Sequence, residues 1–237
     1  AYPPKEIMRY AHQEMDGQFK WDYSGGESTN KFLRNMGFEI KGPETSGSNP
    51  LSKLITQYKR LLDASPNNEQ EIYKWQLIAK FEKTWDIKAS DFSAMFKSIE
   101  FSNLVYFNAK SVIVHLAQNY PNEVRAAFVN LFDEDADLRT RMLDFRQTVR
   151  RLYDEVDGGK YQKYNHHQDE RTLATYLAYR YPNKYPFYKY SFYTPLRKLL
   201  GVANADFPDN YLNYNKILTD FIEDYIIPDE ELLALKN

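Results

Sequence analysis

Four short stretches carry side chains whose types and spacing could support chemistry. His166-His167-Gln168-Asp169-Glu170 gathers metal-competent residues, but a metal needs ligands converging from elsewhere, and no second His or carboxylate cluster has a matching spacing. A metal-dependent nuclease built on His167, Asp169 and Glu170 is therefore the weakest functional reading. The same residues make an ordinary helix start, through Asn165 with Gln168 or through Asp169 alone. The glycines of GPETSGSN, from Gly42, have nearly the spacing of a phosphate-binding loop, with FEIK before them. However, Ser48 stands where that loop needs its lysine, and Pro50 follows. No other stretch supplies that motif, so neither GTP nor ATP hydrolysis is expected. Asp133, Glu134, Asp135 and Asp137 precede a helix, where its dipole favours carboxylates, and read as a solvated acidic turn. His115, inside VIVHLA, reads as a core histidine with a hydrogen-bond partner, and His12 as an exposed one. No serine sits in a Gly-x-Ser-x-Gly elbow.

The most distinctive stretch runs from His166 to Gly201. It holds Tyr176, Tyr179, Tyr181, Tyr185, Tyr188, Tyr190 and Tyr193, interleaved with Arg180, Lys184 and Lys189. In an extended segment, neighbours such as Phe187 and Tyr188, or Phe192 and Tyr193, point to opposite faces, so one core cannot hide every ring. Exposed rings beside cations suit nucleic acid. Rings stack on bases at about 1–3 kcal/mol each, while Lys and Arg hold phosphates. The whole chain has a net charge of −2, so such a surface would need locally clustered charge.

These side chains must be positioned by a globular frame. The chain has 237 residues, 43% hydrophobic and 27% charged, which fits a folded domain and excludes a disordered one. It contains no cysteine, which excludes disulfides, thiol catalysis and cysteine-ligated zinc, and is the cytoplasmic pattern. No apolar run is long enough to span a bilayer, and AYPPKEIMRY offers no secretory h-region, so no membrane partner is expected.

Periodicity predicts a mainly α, multi-helix single domain over 1–237, with possible subdomains 1–65 and 66–237 and a few short strands near 38–41 and 185–193. Short helices are predicted in KEIMRYAHQEM and KFLRNMG. After Pro50, Leu51, Leu54, Ile55, Tyr58, Leu61 and Leu62 form one stripe; Ile72, Trp75, Ile78 and Ala79 form another. Ser90 is placed to cap a helix carrying Phe92, Met95, Phe96 and Ile99, and Pro121 to open one carrying Val124, Phe128, Leu131 and Phe132. The clearest stripe is Leu138, Met142, Phe145, Val149, Leu152 and Val156, with Arg139, Arg141, Arg146, Arg150 and Arg151 off it and Asp157-Gly158-Gly159 as its stop. DGGKYQKYNHH reads as a linker. DERTLATYLAYRYP is a helix, NKYPFYKYSFY is extended, and TPLRKLLG is a short helix with a Thr194 cap and a Gly201 stop. The last helix carries Ile217, Leu218, Phe221, Ile222 and Tyr225. No internal repeat or low-complexity tract is present.

NNEQEIYKWQLIAKFEKTWDIKASDF, taken with HHQDERTLATYLAYRYPNKYPFYKYSFY, resembles the N-terminal region of bacterial AAA+ restriction proteins of the McrB type. The resemblance spans roughly Glu69 to Tyr190, and VRAAFVNLFDEDADLRTR between the two phrases fits it as well. It implies a DNA-recognition domain, often for modified DNA such as a methylated base, serving an AAA+ GTPase motor of the same protein and a separate McrC-type nuclease subunit. The motor is absent from this chain. The implied domain is not itself an enzyme and needs no cofactor. Its DNA-binding candidates are Arg180, Lys184, Tyr188, Lys189 and Tyr190, with Arg150 and Arg151 on the arginine-rich helix. A methylated base could be read by flipping into an aromatic cage or by apolar contact in the major groove. The rival reading is a helical protein-interaction or regulatory domain without direct DNA contact, docking a partner on the arginine-bearing helix 138–156.

Overall fold

The computed structural model describes residues 50–64 and 72–234. The expected helices before Pro50, the strand near 38–41, the Gly42 loop and His12 lie outside them. The chain divides into two units, residues 1–63 with 221–237 and residues 64–220. Each is described by itself.

In the first unit, α1 (Pro50–Ala64, whose last residue belongs to the second unit) buries Ile55 while Leu54 and Tyr58 stay exposed. Its described residues also form a π-helical turn (Ile222–Ile226) and α10 (Glu230–Ala234), with Leu232 buried. Lys59 reaches Asp229 at 2.8 Å and Glu231 at 2.6 Å.

The second unit holds α2 (Ile72–Thr84), α3 (Phe92–Ser98), α4 (Phe107–Asn119), α5 (Pro121–Leu131), α6 (Leu138–Gly159), α7 (Glu170–Arg180), α8 (Tyr190–Leu199) and α9 (Asp209–Phe221, whose last residue belongs to the first unit). Its core is aromatic. The buried Phe128 ring lies 4.9 Å from Phe145 and 5.3 Å from each of Trp85, Phe96 and Tyr176, mostly edge to face, the arrangement that ring quadrupoles favour. Of the α6 stripe, Met142, Phe145, Val149, Leu152 and Val156 are buried as expected, and Leu138 packs partly against them. Asp137 caps that helix by accepting from Thr140 N at 2.9 Å. The helical backbone breaks at Val156, and Asp157 and Gly158 take left-handed φ of 53° and 68°, the expected stop. Pro121 opens α5 as expected. All of Thr172–Tyr179 is buried, so α7 is enclosed on every side.

Several expectations are corrected. The α2 face turned inward is Leu77, Ile78 and Phe81 with Tyr73 and Trp85 beside it; Ile72 and Trp75 are exposed. The i, i+4 series 73-77-81-85 offers a longer unbroken apolar row than the Ile72 one. Asp91 rather than Ser90 caps α3, accepting from Ala94 N at 2.8 Å. Among the described residues there is no strand: 185–189 is irregular, and 190–193 is already the first turn of α8. A strand needs a ladder partner for its backbone. Here Phe192 N and Tyr193 N donate to Lys189 O and so start a helix a turn before Thr194, whose hydroxyl bonds Tyr190 O at 2.9 Å instead of capping. Pro195 thus lies inside α8, and Gly201, at φ 69°, follows its end. In α9, Tyr211 is the buried ring, while Ile222 is exposed.

Candidate nucleic-acid interface

The tyrosines of the opening stretch are mostly core. Tyr176, Tyr179, Tyr185, Tyr188 and Tyr193 are buried, and Tyr190 is 47% exposed. Tyr188 packs its ring within 5.9 Å of Tyr193, Tyr211 and Tyr214 and donates its hydroxyl to Glu170 Oε2 at 3.3 Å. Burial pushes its phenol far above the ordinary range. Glu170 also accepts from Tyr211 N at 3.2 Å, and burial raises its carboxyl against those hydrogen bonds. Tyr188 and Glu170 therefore tie α7 to α9, and neither is presented to a ligand. The expected alternation does hold at Phe192, 68% exposed, beside the fully buried Tyr193, but as neighbouring positions on a helix.

The candidate cations separate by their partners. Lys184 is ion-paired to Glu134, whose hydrogen bond holds the ammonium above its usual range. Arg150 is held by Asp154 and by the Tyr164 carbonyl at 2.9 Å, and Arg151 pairs with Glu155 at 3.2 Å. Arg180 and Lys189 have no carboxylate partner among the described residues; each stands over an adjoining ring, Arg180 5.2 Å from Tyr181 and Lys189 4.8 Å from Phe192. Tyr190 donates its hydroxyl to Asn204 at 3.0 Å and keeps its ring at the surface.

Glu134 is not a solvated acid. Its Oε1 accepts from Arg141 Nη1 at 2.9 Å and Tyr185 OH at 2.8 Å, and its Oε2 from Lys184. Burial pushes the carboxyl up, but the hydrogen bonds from Lys184, Tyr185 and Arg141 outweigh it and hold the group below the usual range. Arg141, off the apolar stripe, is itself buried, and donates further to Leu131 O at 2.8 Å and Tyr185 OH at 2.9 Å.

A second basic-aromatic region lies in the stretch taken for a linker. Lys160 stands 5.5 Å from the Tyr161 ring and Lys163 5.5 Å from Tyr164, and neither lysine has a carboxylate partner among the described residues. This loop forms one wall of a cleft of about 450 Å³. The other wall is one face of α4, where Asn108, Ser111, Val112 and His115 recur at helical spacing. Tyr153, which also lines the cleft, stacks on Tyr161 at 5.2 Å and 16° and fixes that ring. His115 Nε2 meets Asp157 Oδ2 at 3.0 Å, so the histidine has a partner as expected but lies at the cleft and not in the core. His167 also lines the cleft at φ 57°, a left-handed conformation uncommon outside glycine. Asn165 Oδ1 accepts its N–H at 2.7 Å and Thr172 Oγ1 donates to its carbonyl at 3.1 Å, which holds the turn. The signal for this region was present in the sequence as two Lys-Tyr pairs three residues apart.

His166, next door, is buried and structural. Gln168 N donates to its Nδ1 at 3.1 Å, so that nitrogen is unprotonated. Burial, then the charges of Arg150 and Arg146, lower its pKa to about 4. Asp169 caps α7 through Thr172 N at 2.9 Å. Among the described residues no group of three or more His, Asp or Glu is placed to hold a metal ion. No helix among them is long and apolar enough to cross a membrane. No family model, curated protein or solved structure matches the chain.

Proposed function

We propose that the chain is a DNA-recognition domain of the McrB type, reading modified DNA on behalf of an AAA+ motor and a McrC-type nuclease and cutting nothing itself. The observation that carries the reading is the set of surface cations that lack carboxylate partners among the described residues and stand over rings: Lys160, Lys163, Arg180 and Lys189. Such groups can neutralise phosphates without first breaking an ion pair, and their rings offer stacking faces. The sequence resemblance supplies the restriction context. The rival docking face on α6 has less to offer a partner. Arg139 pairs with Asp209, Arg141 with Glu134, Arg150 with Asp154 and Arg151 with Glu155, while Arg146 covers the Phe207 ring at 4.3 Å.

The test is a titration with modified and unmodified duplexes over a range of salt. Lys160→Ala, Lys163→Ala and Lys189→Ala should each weaken binding to all sequences alike. Each should also flatten the salt slope by about one unit, the effect of leaving one phosphate without its cation. Lys184→Ala should leave the slope unchanged, because Glu134 already occupies its ammonium. A parent protein that binds no duplex at low salt refutes the proposal.

A further inference from the structure

We infer that the cleft between α4 and residues 160–167 is a binding site for one nucleotide, its ring against Tyr161 and Tyr164 and its phosphate at Lys160. The inference deepens the DNA-recognition reading and rests on it where the nucleotide belongs to a strand. Its grounds are the cleft's own chemistry. The volume, about 450 Å³, lies in the range of small-ligand pockets. Tyr164 is 53% exposed, and Tyr161 is locked by its stack on Tyr153, so the wall is a preset ring surface. Edge-reading groups stand beside the rings. Among the described residues, neither the amide nitrogen of Asn165 nor the ring nitrogens of His167 have a hydrogen-bond partner. Among the described residues the Asn108 amide donates only to Tyr106 OH, at 3.4 Å. Side-chain amides and imidazoles facing a ring slot match the donor and acceptor edge of a base. Lys160, in the lining and without a carboxylate partner among the described residues, selects for an anion. It also disfavours the other usual guest of an aromatic cage, a methylated ammonium, by like charge.

Two sources share this chemistry: an unstacked nucleotide within a DNA strand and a free mononucleotide. The experiment compares a short, fully paired duplex, the same duplex with one unpaired nucleotide, and the individual deoxynucleoside monophosphates. The proteins are the parent, Ser111→Trp and Tyr164→Ala. Ser111 and Tyr164 are exposed, so the first variant fills the cleft and the second removes a wall without touching the core; unchanged melting verifies this. The parent should bind the duplex with the unpaired nucleotide roughly tenfold more tightly than the paired one, the size of one base–ring stack. Both variants should lose that increment, and Ser111→Trp should do so while keeping the binding and salt slope of the paired duplex. Binding of a monophosphate alone, abolished in Ser111→Trp, supports the cleft with the free nucleotide as its source, even if no duplex binds. The inference is overturned if the parent binds paired duplex but gains nothing from the unpaired nucleotide and binds no monophosphate; the DNA-recognition reading then survives. It is also overturned if both variants bind every probe as the parent does. If the parent binds no probe at all, both proposals fail.

Discussion

Replacing Glu134 by alanine should destabilise the protein far more than its place in an acidic turn suggests. Arg141 is 2% exposed and its guanidinium remains charged at any ordinary pH. Without Glu134 it keeps the Leu131 carbonyl and the Tyr185 hydroxyl as acceptors but loses its only carboxylate among the described residues. Stranding one charge of a buried pair costs about 3–5 kcal/mol. The Glu134 side chain is 27% exposed, so water reaches part of the site, and the expected loss is about 3 kcal/mol, the lower end of that range. Lys184→Ala removes only a partner that is 57% exposed and should cost less than about 1 kcal/mol, as exposed ion pairs do. Urea denaturation resolves the two as shifts in midpoint at constant slope. The acid response has a definite sign. The carboxyl's folded pKa lies below its ordinary value, so the stability it confers is complete above the ordinary carboxylate range and is lost as pH falls through the folded value. In Glu134→Ala that part of the acid sensitivity should vanish. If Glu134→Ala denatures at the parent's urea concentration, the buried charge of Arg141 is compensated in some other way and the reasoning fails.

Two further outcomes test the frame. Phe145 is fully buried, with its ring 4.9 Å from Phe128, so Phe145→Asp should abolish cooperative thermal unfolding; a soluble, fully helical variant would show the α6 stripe is not core. His166 has a folded pKa of about 4 against an ordinary 6.5. The unfolded chain therefore binds the proton first, and stability should fall as pH drops from about 6.5 towards 4 and level off below, by about 2 kcal/mol after allowance for solvent screening. His166→Gln, which can still accept from Gln168 N, should flatten that slope in pH-dependent denaturation; an unchanged slope would place the titration elsewhere.

The parts of the fold legible in the sequence are those whose cause is local. Five of the six α6 stripe residues are fully buried because one helix face meets one core, and Asp157-Gly158 and Pro121 act on their own backbone. The α2 face is harder to read, since Ile72 and Trp75 are as apolar as Leu77 and Phe81, and it is the longer row through Tyr73, Leu77, Phe81 and Trp85 that packs inward. The tyrosines of 185–193 suggest strands because aromatic residues fit pleated sheets, yet here helices bury Tyr185, Tyr188 and Tyr193 and leave the backbone no ladder to join. The cation surface was the least legible. Lys184 and Lys189 are the same residue type, five positions apart in the same basic-aromatic run. One is neutralised by Glu134, which lies 50 residues away in sequence, and the other stands over the Phe192 ring with no carboxylate partner among the described residues. The KYQKY loop, bland beside its glycines, gains its cleft only when α4 arrives from some 50 residues upstream. A cation's availability to phosphate is a property of which acids the fold brings to it. That is why Lys184, Arg150 and Arg151, which are paired, and Arg180 and Lys189, which have no carboxylate partner among the described residues, are not separated by spacing and are separated by geometry.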